Sequence, residues 1–283
     1  MTAATVSALA AWLARQPKPL NAPITAEARQ LFYRAVVRVG SYRGHPDVLY
    51  ETAALLGEQA PAPLYHAGLA LVLTASSYIS GGNYDPLGLT HARAAIDIAQ
   101  VYAPDAIEVR YALAAVLLRY KQLDEAAPHI EFLLAQEPDN SHFLTLNMLL
   151  LAERKQFAAA VEWFDRIDKM PLVEAQRINL ANSLAFYCMA ANRDGEAIRL
   201  YRQVLAMTPQ DPWAWHNLSI IHLRRKNYWQ CYRCNRRALG IMQFGAAHYV
   251  RGRLDVALRR QVRTAIGWLA ALGMAAAAFY NNR

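Results

Sequence analysis

The chain has 283 residues, 55% of them apolar, and a formal net charge of +8. Three cysteines in a chain of this length exclude a disulfide-stapled secreted scaffold, so we expect a reducing compartment. The N-terminus lacks the basic region of a signal peptide, and the preference for arginine over lysine, with abundant alanine, is typical of GC-rich bacterial genomes.

The positive charge is concentrated near one end of the chain. Residues 213–263 contain eleven basic side chains and one acidic side chain, Asp255, which gives this segment a charge of +10. The preceding 212 residues are weakly acidic. A function that depends on the basic charge is therefore expected in the C-terminal part of the chain.

The first part of the chain has weak helical patterns. Residues 1–20 contain a short amphipathic helix, and residues 25–39 and 47–56 form a candidate helix pair separated by glycines. Residues 63–79 predict a long apolar helix. The turn-forming residues 80–86 then interrupt the pattern, either as an insertion or as a surface loop that contacts a partner.

From residue 87 onward, small residues recur at spacings of 34, 34, 37 and 34, at Ala92, Ala126, Ala160, Ala197 and Cys231. A proline follows each of the four alanines by 11 or 12 residues. A fixed period of this length indicates a helical repeat array. We predict helices near residues 87–102, 107–120, 123–136, 141–154, 157–168, 175–191, 194–207, 212–225 and 228–241.

The residues that carry this period resemble the tetratricopeptide repeat family. In the best copy, Trp215, Leu218 and Ser219 occupy the positions of the family's aromatic residue, leucine and glycine. The resemblance is strong over residues 87–240 and faint over 25–86. It implies an all-α fold, a right-handed α-solenoid of antiparallel helix pairs over residues 25–240, that binds proteins or peptides.

In that family the first helix of each pair lines a concave groove. The resemblance implies a groove formed by Tyr111, Ala115, Leu118, Thr145, Leu149, Asn182, Phe186, Met189, His216, Asn217 and Ile220. These residues are mostly apolar, which favours a helical or apolar partner segment, although any one of them could instead be core. The Lys/Arg/Asn carboxylate clamp of chaperone-binding members is not expected, since only Asn217 and Asn182 match it.

After residue 245 the repeat pattern ends. Residues 246–263 predict a basic helix, and residues 264–280 contain no charge. As a helix this segment would be about 26 Å long, just short of a ~30 Å hydrocarbon core. We therefore predict a C-terminal membrane anchor, with the repeats on the cytoplasmic side because the basic residues precede it. The alternative is a soluble cytoplasmic protein whose apolar tail caps the repeats or docks in its own groove.

The basic segment predicts a membrane-proximal patch, formed by Arg233, Arg236, Arg237, Arg251, Arg253, Arg259, Arg260 and Arg263. Two alternatives are a solvated basic face and a nucleic-acid site over residues 224–263. In the latter, Tyr228, Trp229 and Tyr232 would stack on bases. Nucleic acid is the less favoured partner.

The sequence contains no phosphate-binding glycine loop, nucleophile motif or histidine cluster with metal-ligand spacing. The lone Cys231–Cys234 pair lacks a second pair that would complete a zinc site, and Cys231 occupies the small-residue position of the repeat. We therefore predict no enzyme activity, no metal and no cofactor. The chain is predicted to be a membrane-anchored adaptor or assembly factor that binds other proteins, or alternatively a soluble helix-binding chaperone.

Overall fold

The computed structural model of the chain describes residues 22–40, 46–80 and 83–281. These residues form thirteen helices and one two-stranded antiparallel sheet. The amphipathic helix predicted within residues 1–20 lies outside the described residues.

The chain divides into two compact units. Unit 1 is Met1–Tyr187 and unit 2 is Cys188–Arg283. The boundary falls inside a helix, Glu174–Ala190, so this helix contributes residues to both units.

Twelve of the described helices form consecutive pairs, and the thirteenth follows the last pair. Those that begin in unit 1 are α1 (Ala26–Gly40), α2 (Pro46–Gln59), α3 (Ala62–Ser76), α4 (Pro86–Tyr102), α5 (Ile107–Arg119), α6 (Leu123–Gln136), α7 (Ser141–Glu153), α8 (Phe157–Ile167) and α9 (Glu174–Ala190). Those of unit 2 are α10 (Asp194–Met207), α11 (Pro212–Arg224), α12 (Tyr228–Ile241) and α13 (Gly245–Asn281). From α4 to α12, every helix end lies within one residue of the predicted position.

Several helix starts are fixed by side-chain caps. The Asp85 carboxylate accepts a hydrogen bond from the backbone N–H of Leu87, and Asp211 accepts from the N–H groups of Trp213 and Ala214. A proline follows each of these caps, where a missing N–H has no cost. The caps and prolines therefore place the starts of α4 and α11.

The small residues of the repeat are in the core. Ala92, Ala126, Ala160, Ala197 and Cys231 each have 0% of their surface exposed. Each lies on the second helix of a pair. A larger side chain at these positions would prevent the close helix packing that the repeat requires.

A second periodic feature, which we did not predict, lies in the turns within the pairs. Lys121, Lys155, Asn192 and Lys226 have φ between 60° and 62°, in the left-handed region. In the first of these turns the backbone N–H of Gln122 donates to the carbonyl of Leu117 at 3.0 Å. This arrangement satisfies carbonyls at the helix end, but it imposes backbone strain on non-glycine residues.

The 37-residue step of the repeat arises mainly from α9, which has 17 residues, whereas α5, α7 and α11 each have 13. The connection between α8 and α9, residues 168–173, is also longer than those that precede α7 and α11. It is held by Arg177 of α9, whose guanidinium donates to the carbonyl of Asp168 at 3.0 Å and to that of Met170 at 3.4 Å.

The predicted helix over 63–79 is too long, because α3 ends at Ser76. The hydroxyl groups of Ser76 and Ser77 donate to the carbonyl of Leu73 at 2.8 and 2.6 Å, which competes with continuation of the helix. Two short strands follow, β1 (Tyr78–Ser80) and β2 (Asn83–Tyr84), paired antiparallel. Part of the segment predicted as a loop is therefore a hairpin.

The two predicted C-terminal helices form one continuous helix, α13. No proline or cap separates residues 246–263 from 264–280, so the backbone continues. The side chains of residue 265 and of residues 267–281 lie outside the described part of the structure. Among the described residues, no helix has the length and apolar character needed to span a bilayer.

The first part of α13 packs on the last repeat of unit 2. Val250 and Leu254 form a core cluster with Cys231 of α12. The amide of Asn235, also on α12, donates to the carbonyl of Ala247 at 2.9 Å. This buried hydrogen bond fixes the start of α13 against the repeat.

Candidate functional site

Unit 1 contains a cavity of ≈ 310 Å³ on the face formed by the first helices of its pairs. Helices α5, α7 and α9 line it together with α1, α3 and the hairpin. Its walls are mainly apolar, and Arg119 is the one charged side chain among its described lining residues. The lining includes Val36, Val37, Leu71, Tyr78, Tyr84, Tyr111, Ala115, Arg119, His142, Thr145, Leu149, Asn179, Leu180 and Ser183.

Helix α1 lies on this face and covers part of it. The ring of Tyr33 stacks on His142 of α7, with centroids 4.8 Å apart, and meets Tyr111 of α5 edge-on at 6.1 Å. At the other end of α1, a Cβ on Gly40 would lie 3.0 Å from the side chain of Asn179 on α9. The chain's own helix thus occupies a surface that the family resemblance assigns to a partner.

Burial determines the charge of groups beneath α1. Desolvation lowers the pKa of His142 to about 4, so its imidazole is neutral at physiological pH. The Nε2 atom of His142 lies 3.0 Å from the side-chain nitrogen of Gln176. Glu108 is also buried, with 1% of its side chain exposed, and its carboxylate forms an ion pair with Arg29 of α1 at 3.5 Å. A polar contact, the ion pair between Arg29 and Glu108, therefore accompanies the aromatic packing of α1.

Arg119, the last residue of α5, lines the cavity together with Tyr84 of the hairpin. Its guanidinium lies 5.8 Å from the ring centroid of Tyr84 in the hairpin and 3.4 Å from the hydroxyl of Tyr187. That hydroxyl donates to the carboxylate of Glu153 at 2.5 Å, and Lys121 forms an ion pair with the same carboxylate. The hairpin therefore contributes directly to the cavity.

The predicted groove residues of unit 1 do not all reach the cavity. Four of them line it, namely Tyr111, Ala115, Thr145 and Leu149. Leu118 is 0% exposed and belongs to the core, which corrects its assignment to the groove. On α9, Asn179 and Ser183 line the cavity in place of the predicted Asn182 and Phe186. Counted back from the start of the next helix, Asn179 and Ser183 correspond to His142 and Leu146 of α7, which also line the cavity.

Unit 2 contains a larger groove, of ≈ 1540 Å³, between α11 and α13. We call it the α11–α13 groove. The predicted residues His216 and Ile220 line it from α11. The opposite wall, which we did not predict, comes from α13, because α13 lacks the repeat motif and periodicity gave no signal for it. Its lining also includes Leu223, Arg224, Lys226, Tyr228, Tyr249, Val250, Arg253, Val256, Ala257 and Arg260.

The floor of this groove includes a neutral, unsatisfied histidine. His216 is 4% exposed, and desolvation lowers its pKa to about 4. Its ring packs edge-on against Phe244, with centroids 5.1 Å apart. Within the described part of the chain, its Nδ1 atom has no hydrogen-bond partner. The Nδ1 atom of His216 is therefore available to form a hydrogen bond with a ligand.

The remaining predicted groove residues have structural partners. The amide of Asn217 donates to the hydroxyl of Tyr201 at 2.9 Å. Met189 is 9% exposed, and its carbonyl accepts two hydrogen bonds at 3.1 Å from Arg224. Since Asn217 already binds Tyr201, its amide is engaged within the repeat.

The predicted basic patch is divided among different surroundings. Arg253 and Arg260 line the α11–α13 groove, whereas Arg237 lies over the ring of Trp215 at 4.6 Å. Arg251 pairs with Asp255 at 3.6 Å. The other members of the patch are exposed: Arg233, Arg236, Arg259 and Arg263.

The three aromatic residues proposed for base stacking are also in different surroundings. Tyr228 lines the α11–α13 groove, and Trp229 is 64% exposed. The ring of Tyr232 is already stacked on Trp229, at 6.0 Å, and lies under Arg251 at 5.2 Å. An exposed row of aromatic rings, as used for single-stranded nucleic acids, is therefore not formed by these three residues.

The CxxC pair is buried on α12. Cys231 is 0% exposed, Cys234 is 7% exposed, and both are free thiols. Burial raises the pKa of Cys231 to about 11, which keeps the thiol protonated and unreactive at neutral pH. Packing explains both residues. In the described ranges, no group of three or more His, Cys, Asp or Glu side chains has an arrangement suited to a metal ion.

Comparison with known proteins identifies the repeat. A family profile for the tetratricopeptide repeat matches residues 178–221. No curated protein matches the sequence significantly. The resemblance predicted from the residues is thus confirmed.

Solved structures of low sequence identity share the fold. PilF of Pseudomonas aeruginosa is 14% identical, with a TM-score of 0.53 over 72% of this chain and 87% of its own. A tetratricopeptide repeat protein of Parabacteroides merdae is 15% identical, with a TM-score of 0.50 over 86% and 91%. The APC/C Cut9–Hcn1 structure is 11% identical, with a TM-score of 0.54 over 89% of this chain and 46% of that one. The fold is a tetratricopeptide-like α-solenoid.

Proposed function

We propose that this tetratricopeptide repeat chain is a protein-binding scaffold whose partner segment occupies the α11–α13 groove. The observation that carries the proposal is the groove itself, whose volume of ≈ 1540 Å³ exceeds that of the unit 1 cavity several-fold. In unit 1 the corresponding face is partly covered by α1. The α11–α13 groove has no such covering helix among the described residues of unit 2.

The apolar lining of the groove supports binding of a partner's apolar side chains. Ile220 and Leu223 contribute from α11, and Tyr249 and Val256 contribute from α13. Tyr249 and Val256 are 64% and 67% exposed. Because large apolar residues gathered along one groove lose water contact when a partner covers them, they favour association.

The charges around the groove support an acidic partner. Arg224 is neutralised by an ion pair with Asp194. Lys226, Arg253 and Arg260 have no carboxylate partner among the described residues, and no acidic residue lines the groove. Charge complementarity then favours an amphipathic acidic helix, with apolar residues toward the floor and carboxylates toward these three cations.

Two exposed valines on α13 provide a matched test. Val256 lines the groove and Val262 does not, although they are 67% and 58% exposed on the same helix. We expect Val256→Glu and Arg253→Glu to abolish capture of acidic partners from the native host extract, because both place a carboxylate in the groove. Val262→Glu should leave capture unchanged, since it adds the same charge elsewhere.

The readout is quantitative mass spectrometry of co-purified proteins, at low and high salt. Partners lost with Val256→Glu but kept with Val262→Glu would then be tested as isolated acidic peptides. If the two valine variants capture the same partners with the same yield, the groove is not the binding site and the proposal fails.

A second proposal concerns attachment to a membrane, and it rests on the uncharged sequence of residues 264–280. In this version the protein is an adaptor or assembly factor with its repeats in the cytoplasm, and Arg259 and Arg263 lie next to the lipid headgroups. The alternative is a soluble cytoplasmic scaffold with its tail packed on protein. The uncharged stretch supports both, since either environment removes it from water.

Fractionation distinguishes these two versions. An anchored protein requires detergent for extraction, and a chain ending at Arg263 should move to the soluble fraction while retaining its helical circular dichroism spectrum. Full-length protein that remains monomeric in detergent-free buffer would exclude the anchor.

A further inference from the structure

We propose that the cavity of unit 1 binds a carboxylate carried on a short apolar group, with the Arg119 guanidinium as its cationic partner. This site is separate from the α11–α13 groove and does not depend on the function proposed for it. The argument rests on the charge, the shape and the walls of the cavity.

Of the described residues that line the cavity, Arg119 is the one with a charged side chain, and none carries a carboxylate. Glu153 acts on Arg119 electrostatically but is not among the lining residues. Its carboxylate is bound by Lys121 and by the hydroxyl of Tyr187 at 2.5 Å. Among the described residues, no carboxylate forms an ion pair with Arg119. The charge of the lining therefore favours an anionic ligand.

The guanidinium is held in place by neutral groups. The ring of Tyr84 lies 5.8 Å from it, and the Tyr187 hydroxyl lies 3.4 Å from its Nη1 atom. A guanidinium presents several N–H donors in one plane, and these two contacts leave some of them unused. A planar carboxylate matches the remaining donors with two parallel hydrogen bonds.

The rest of the cavity favours a short apolar group. Val36 and Val37 of α1, Leu149 of α7 and Leu180 of α9 contribute its apolar walls. Its volume of ≈ 310 Å³ is near the lower limit for a small-molecule site, so only a few carbon atoms fit beside the carboxylate. Because α1 covers part of this face, an extended peptide cannot lie along it, but a chain end could enter.

Two sources have this chemistry, a free small carboxylic acid and the C-terminal residue of a peptide. The probes are 4-methylpentanoate and a tetrapeptide ending in leucine with a free carboxylate. Their controls are 4-methylpentanamide and the same tetrapeptide with an amidated C-terminus. Each is titrated into the full-length chain by calorimetry, and inorganic phosphate is titrated as a competing anion.

We expect at least one of the two carboxylates to bind ten or more times more tightly than its amide. The carboxylate that binds more tightly shows whether the natural ligand is a free acid or a peptide C-terminus. The Arg119→Met variant should lose this preference, whereas Arg93→Met should keep it, since Arg93 pairs with Asp97 and does not line the cavity. Arg119→Lys should retain part of it, because the charge remains without the planar donors.

Equal binding of acid and amide by the wild-type chain would overturn the proposal, and so would no binding of either carboxylate at millimolar concentration. Tighter binding of phosphate than of both carboxylates would also overturn it. These comparisons use the unmodified chain, so they remain decisive even if Arg119→Met does not fold. Loss of partner capture by Val256→Glu reports on the α11–α13 groove alone, so the two sites can fail independently.

Discussion

Tyr33 stacks on His142 with their ring centroids 4.8 Å apart and their planes inclined by 21°. This contact joins α1 to the first helix of a repeat that is distant in sequence. It also closes one wall of the unit 1 cavity, since His142 lines that cavity. The stability of unit 1 and access to its cavity should therefore both depend on Tyr33.

Replacing Tyr33 with alanine should destabilise unit 1 by about 2–4 kcal/mol, because the substitution removes an aromatic ring that contacts Phe32, Tyr111, His142 and Phe143. Urea unfolding followed by circular dichroism measures the change. Tyr33→Phe is the control, since it retains the ring and should cost less than about 1 kcal/mol. Equal midpoints for Tyr33→Ala and wild type would show that α1 is not held by this contact.

The buried histidines predict loss of stability at mildly acidic pH. The pKa values of His142 and His216 are about 4 in the folded chain, against 6.5 for an exposed histidine. As pH falls below about 6.5 the unfolded chain binds protons first, so stability decreases until the folded-state pKa near 4 is reached. Each histidine contributes at most about 3 kcal/mol to this decrease.

The variants His142→Phe and His216→Phe test this pH dependence, because phenylalanine retains a ring but binds no proton. Urea midpoints measured between pH 4 and pH 7 should fall less steeply for each variant than for the wild type. If the wild-type and variant slopes coincide over this range, carboxylates and not these histidines control the acid sensitivity.

Gly68 and Gly252 should respond oppositely to the same substitution. A Cβ on Gly68 would lie 2.6 Å from Cδ1 of Leu56, so Gly68→Ala should destabilise the packing of α3 on α2 by about 1–3 kcal/mol. Nothing lies within 4 Å of a Cβ on Gly252, so Gly252→Ala should stabilise α13 by about 0.5–1 kcal/mol. Thermal unfolding compares them, and shifts of the same sign would contradict the helix contacts described.

The strained turn at Lys155 can be relieved by glycine. Its φ of 62° disfavours any residue with a Cβ, so Lys155→Gly should stabilise the chain by about 0.5–1 kcal/mol despite the greater freedom of glycine in the unfolded state. Lys169→Gly is the control, because Lys169 lies in a turn without positive φ and should gain nothing. Chemical unfolding gives both values; a loss of stability in Lys155→Gly would show that the turn is not strained.

The sequence predicts α4–α12 closely because the signals are local. Caps such as Asp211 and buried small residues such as Ala126 act within a single helix pair. The sequence does not predict the strands of the hairpin. Serine hydroxyls end α3 at Ser76, and no glycine or proline at that point indicates the end of the helix.

The candidate site was less predictable because it depends on contacts between distant segments. The four predicted residues of unit 1 that line the cavity follow from their positions within α5 and α7. The cover formed by α1, the role of Arg119 beside Tyr84, and the wall contributed by α13 each bring together residues from different elements. Repeat periodicity contains no information on such contacts.

The docking of α1 also has a consequence for folding kinetics. The contacts within each helix pair are local and form at a small loop-closure entropy, so the pairs are expected to form first. The contact between Tyr33 and His142 instead joins residues more than a hundred positions apart, and it requires α7 to be in place. We expect α1 to dock after the transition state, so that changes at Tyr33 mainly accelerate unfolding and leave the refolding rate nearly unchanged.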